Sequence, residues 1–119
     1  RYIEISILVT GAYWKSQYEW YAHGRMARAA GVADAMIQSI KDGNRPDFND
    51  AEDVVAYDLA FELHRTHEVS DDTYAHAVTA FGEQGVAELI NLCGFYTMVS
   101  MSLNTFRIGL PEGAQLPFE

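Results

Sequence analysis

From Val86 to Phe106 the chain carries an apolar stretch whose large residues fall on every side of a helix: Val86, Leu89, Ile90, Leu92, Phe95, Met98, Val99, Met101 and Leu103 leave no polar face. A helix with one apolar stripe packs against a core, whereas one that is apolar all round has to be covered all round. A chain of 119 residues has little material for that task, so the expectation is a homo-oligomer in which a second copy supplies the missing cover. By length the stretch also matches a membrane span. Glu88, Asn91, Gly94, Ser100, Ser102 and Asn104 interrupt it, and the expectation is a helix buried in protein rather than in lipid.

Helix signals punctuate the rest of the sequence, which reads as a single all-α domain over residues 1–119 with an irregular tail at 107–119. Ser16 to Ala30 is a helix closed by Gly31, and Ala33 to Asp42 a short one closed by Gly43. Asn49 with Glu52 has the spacing of a capping box opening a helix to Thr66. Ser70, followed by Asp71 and Asp72, caps a helix to Phe81 that Gly82 ends, and the last helix runs from Glu83 to Phe106. One segment is ambiguous. Ile3, Ile5, Ile7 and Val9 alternate in the manner of a strand, yet nothing else in the chain would pair with it, so a buried helix is expected. That segment has no capping residue before it, which suggests a chain that starts inside an element.

Charge narrows the function. Eight Lys and Arg against 17 Asp and Glu give a formal net charge of -9, the opposite of the basic footprint that nucleic acid or an anionic membrane requires. The single cysteine, Cys93, forms no internal disulfide, and no signal peptide is visible, so the expected compartment is the cytoplasm. There is no glycine-rich phosphate loop, nucleophile elbow or CxxC pair. His64 and His67 lack the carboxylate or thiol that would complete a metal set, and no metal or other cofactor is expected.

The residues that stand out are Glu19 and His23. On a helical wheel they lie one turn apart in the apolar face that also holds Ser16, Trp20, Met26 and Ala27. A carboxylate and an imidazole buried there must pair with each other or with a third group. Such a pair is either a structural ion pair or a means of moving a pKa toward neutrality for acid-base chemistry. Glu4 repeats the anomaly on the apolar first segment, either bonded to Arg1 or converging on the same cluster. Trp20 is a candidate pocket wall among the aromatics Tyr13, Trp14, Tyr18 and Tyr21.

Taken together, the segment from Arg1 to Leu8 around Glu4, the run Tyr18-Glu19-Trp20-Tyr21-Ala22-His23 with Ala27 and Ala30-Gly31-Val32, Gly43 to Phe48, Gly94-Phe95-Tyr96, Asn104-Thr105-Phe106 and Leu110 to Gly113 resemble the carboxymuconolactone decarboxylase family. Its superfamily includes the alkylhydroperoxidase D proteins. The resemblance implies an alkylhydroperoxidase D-like helical bundle, assembly as trimers or hexamers, and further helical sequence before the Glu4 segment. It also places Ser16 and Glu19 where the peroxidase branch has its two cysteines, which removes thiol chemistry. The decarboxylase branch, which resembles the chain better, implies a lyase without cofactor that acts on a small lactone in aromatic-compound catabolism. Catalytic roles would fall to Glu4, Glu19 and His23, and substrate contacts to Ser16, Trp20, Tyr96 and Asn104, with Tyr96 or Asn104 open to being borrowed from a neighbouring subunit. An anionic substrate would call for an arginine, with Arg1, Arg45 and Arg107 as candidates. The competing expectation is a non-catalytic helical assembly or small-molecule binding protein whose Glu-His cluster is structural.

Overall fold

The computed structural model describes residues 1–119 as five helices and no strand: α1 Tyr2–Trp14, α2 Gln17–Ala29, α3 Asp34–Lys41, α4 Ala51–Thr66 and α5 Asp71–Thr105. The ambiguous first segment is helical, and it is the centre of the molecule: α1 lies against all four other helices. Seven consecutive residues from Ile5 to Gly11 are buried. That explains the strand-like pattern, because a helix enclosed on every side has no polar face to impose a 3.6-residue rhythm. Its buried hydroxyls bond back along the helix, Ser6 Oγ to the Tyr2 carbonyl at 3.1 Å and Thr10 Oγ1 to the Ser6 carbonyl at 3.0 Å.

Ile5, Leu8 and Val9 form the main core with Trp20 and Ala27 of α2, Met36, Ile37 and Ile40 of α3, Tyr57 and Ala60 of α4, and Cys93 of α5. A second cluster joins Leu59 of α4 to Ala77, Val86 and Leu89 of α5. Each fully buried side chain of Leu or Ile size contributes about 1.5–3 kcal/mol.

The expected capping box at Asn49 and Glu52 does not form. Asp50 is the N-cap of α4, and neither residue supplies a side-chain cap. Arg1 draws the Asp50 carboxylate to 2.7 Å and that of Asp53 to 3.0 Å, tying the start of α4 to the start of α1. The cap at Ser70 does form: its hydroxyl accepts from the Thr73 N–H at 3.3 Å, while Glu62 of α4 accepts from both the Ser70 N–H and the Thr73 hydroxyl. Gly82 breaks the helix geometry as expected, with φ 72 and ψ 169, a region essentially closed to other residues. The chain then resumes as a helix, so α5 consists of the two expected helices joined at a kink. At the bend a Cβ on Gly85 would come within 2.7 Å of Phe81 Cβ, so only glycine fits there.

Along α5 this chain covers the side holding Val86, Leu89, Cys93 and Ser100, and leaves Ile90, Phe95, Met98 and Met101 exposed. It is the one helix long and apolar enough to cross a membrane. The tail after Arg107 is irregular but fastened: Gln17 exchanges two hydrogen bonds with the Phe118 backbone, whose ring packs edge-on against Trp20.

Leu8→Ala should therefore lower unfolding free energy by about 2–5 kcal/mol in urea titrations. Gly82→Ala should cost about 1–3 kcal/mol, whereas Gly94→Ala, in helical geometry with open space where its Cβ would lie, should gain up to about 1 kcal/mol.

Candidate active site

The hairpin of α1 and α2 builds the site. Lys15 takes the left-handed conformation, with φ 48 and ψ 42, and reverses the chain so that Glu4 in the first turn of α1 faces His23 in α2. His23 Nδ1 lies 2.9 Å from Glu4 Oε2, and Nε2 lies 3.1 Å from Glu19 Oε1. Glu19 and His23 are buried, at 3% and 8% exposure, whereas the Glu4 side chain keeps 17% of its surface open. Access to the cluster is therefore through Glu4.

Ser16-Gln17-Tyr18-Glu19 has the spacing of a capping box, and again none forms. The Ser16 N–H bonds to the Gly11 carbonyl at 3.1 Å, and Glu19 turns instead toward His23. This leaves Ser16 Oγ and Glu19 Oε2 buried without a hydrogen-bond partner in the protein.

Burial opposes protonation of His23, but the hydrogen bonds to Glu19 and Glu4, reinforced by their charges, outweigh it and hold the imidazole above its ordinary pKa of 6.5. In its protonated form the ring donates from both nitrogens, one to each carboxylate. Because the two carboxylates meet opposite sides of one ring, the three groups do not converge on a point where a metal could sit, and no other His, Cys, Asp or Glu group is arranged to hold one.

Tyr96 of α5 sets its ring against His23, centroids 4.9 Å apart at 77°. Burial and then the charges of Glu19 and Glu4 push its phenol above the ordinary value. One turn on, Ser100 is fully buried with Oγ unpartnered, and one further turn brings Asn104, whose amide donates to the Trp14 carbonyl at 2.8 Å. Tyr96 thus reaches the cluster within its own chain, without being borrowed from a neighbouring subunit. Ser100 was missed by the sequence reading, although its four-residue spacing from both Tyr96 and Asn104 puts the three on one helix face.

Trp20 does not wall a cavity. It is 6% exposed in the main core, because that face of α2 is the one covered by the tail. None of the five principal clefts is lined by Glu4, Glu19 or His23. The nearest along α2 is a cleft of about 300 Å³ lined by Ser16, Asn104 and Arg107. Of the three candidate arginines, Arg1 is held by Asp50 and Asp53 and Arg45 by Asp58, so Arg107 alone has no carboxylate partner. His64 is turned inward to the Ala60 carbonyl at 2.7 Å, and Cys93 is buried beside Thr10, with burial pushing its thiol pKa up.

Comparison with protein-family models, curated proteins and solved structures gives no match to this chain.

The raised His23 pKa fixes the sign of a pH effect. Stabilisation by the protonated ring is complete below pH 6.5 and is lost as pH rises through the folded-state value. His64, lowered by burial, acts in the opposite sense toward acid, so subtraction of a variant is needed to isolate His23. Urea unfolding of wild type and His23→Gln should differ by about 3 kcal/mol at pH 6, and the gap should narrow as pH rises through the folded-state value. A gap that is constant with pH would contradict a charged His23.

Proposed function

We propose that the chain is a cofactor-independent enzyme, similar to the carboxymuconolactone decarboxylases, that decarboxylates or moves a proton on a small lactone or carbonyl acid at Glu4, His23 and Glu19. The observation that carries this reading is a nearly buried imidazole held between carboxylates from two helices, one of them open to solvent. Such a cluster stores a proton in a dry setting and exchanges it on one side only.

In this reading the bond from the lactone ring to its carboxylate breaks, CO2 departs, and the electron pair spreads into the conjugated ring as a dienolate. A donor is needed at the carbonyl oxygen and a proton at carbon. Glu19, fixed and buried, holds Nε2 and so sets the ring. Glu4 swings off Nδ1, so that the substrate carbonyl oxygen accepts from the Nδ1–H. On its solvent-open side Glu4 takes up a proton from water and delivers it to carbon, where the electron pair of the dienolate forms the new C–H bond. The ring of Tyr96, set against His23, would contact a substrate there, whereas Ser16 and Ser100, with unpartnered hydroxyls, are fully buried. Thiol peroxidase chemistry has no support: Ser16 and Glu19 occupy the positions where that branch has cysteines, and the Cys93 thiol is buried.

The reading includes assembly as a trimer or hexamer, with a second copy covering Ile90, Phe95, Met98 and Met101. The absence of Glu4, Glu19 and His23 from the principal clefts favours a second reading, a structural ion cluster in a non-catalytic assembly protein.

Turnover of carboxymuconolactone, followed by CO2 release, separates the two. His23→Ala and Glu19→Gln should each lower the rate about 100-fold or more. Wild-type rates in both variants, or no turnover by the wild-type protein, would favour the structural cluster. Light scattering should report a multiple of 13.3 kDa that Met98→Asp reduces, and a wild-type monomer would refute the assembly.

A further inference from the structure

The chain is acidic, yet both of its lysines and one of its six arginines meet at one cleft that neither Glu4 nor His23 lines. Lys15 reaches it from the end of α1, Lys41 from the last turn of α3 and Arg65 from the last turn of α4. None of the three has a carboxylate partner, although Arg1, Arg28 and Arg45 are all paired with aspartates. The cleft holds about 320 Å³, within the range of small-molecule sites, and is the most enclosed of the five.

Its walls are aromatic. Tyr57 and Phe61 stack at 5.4 Å with 17° between their planes, and the Arg65 guanidinium lies 5.0 Å over the Phe61 ring. His64, also at the cleft, donates from Nδ1 to the Ala60 carbonyl, and burial lowers its pKa. Asp42 is the single carboxylate present, and both its oxygens accept from Gln38 at 3.0 Å.

We propose that this cleft binds a small aromatic carboxylate, its ring against Phe61 and Tyr57 and its carboxylate among Lys15, Lys41 and Arg65. A compact, doubly charged anion such as phosphate suits it less well. Three helix C-termini converge here, and their carbonyl ends repel negative charge that would lie deep in the cleft. A singly charged carboxylate at the rim meets the flexible cations and leaves only an apolar ring inside. The same cations have a competing role in neutralising those helix ends, which would be a matter of stability and not of ligand binding.

Benzoate is the probe, with inorganic phosphate as the contrast, by calorimetry and by backbone NMR shifts on the full chain. Saturable benzoate binding is expected, with shift changes centred on Lys41, Phe61 and His64. Lys41→Gln and Arg65→Gln should each weaken binding about tenfold while the melting temperature stays within a few degrees of wild type. No saturable benzoate binding, affinity unchanged in both variants, or phosphate bound as tightly as benzoate would overturn the proposal.

Discussion

His23, bonded through one ring nitrogen to a carboxylate from α1 and through the other to a carboxylate from its own helix, sets how the central hairpin closes. A neutral imidazole satisfies only one of those bonds as a donor, so the arrangement is self-consistent when the ring is charged. Removing any one of the three leaves the others uncompensated in a nearly dry setting, which is why the cluster is either functional or strongly structural and cannot be incidental. The asymmetry within it matters most: Glu19 is sealed in, whereas Glu4 keeps contact with solvent.

The rest of the fold serves that hairpin. α1 lies against the other four helices, so Glu4 sits on the central element of the fold, and Lys15 fixes the reversal that brings α2 back along it. The Arg1 bridge to Asp50 and Asp53 anchors the α1 end that carries Glu4, three residues away. α5 closes the third side with Tyr96, and two turns further on its Asn104 holds the Trp14 carbonyl at the far end of α1, while its opposite side shows the apolar surface of Ile90, Phe95, Met98 and Met101. One helix thus walls the candidate site with one face and offers the molecule's most apolar surface with the other.

Much of this was legible in the sequence, because local chemistry decided it. Gly31, Gly43 and Gly82 mark positions of positive φ, Ser70 caps α5, and the helical wheel of α2 placed Glu19 and His23 together. What was not legible depended on distant partners. The capping box expected of Asn49 with Glu52 does not form, and the start of α4 is instead tied to α1 through Arg1 with Asp50 and Asp53. Trp20 lies in the core because residue 118 returns to cover it, and the meeting of Lys15, Lys41 and Arg65 joins positions up to 50 apart in the chain. No local pattern encodes such contacts, and α1 hid its helical nature because complete burial erased its periodicity.

Everything claimed for the site rests on the charge of one ring. Nitrogen-15 NMR of the His23 imidazole reports protonation at Nδ1 and Nε2 directly, free of the stability and turnover of the variants. Across a titration, both nitrogens should show the imidazolium signature past pH 6.5, with the two N–H protons shifted as expected for strong hydrogen bonds to carboxylates. A ring that is neutral below pH 6.5 and protonated on a single nitrogen would contradict the account.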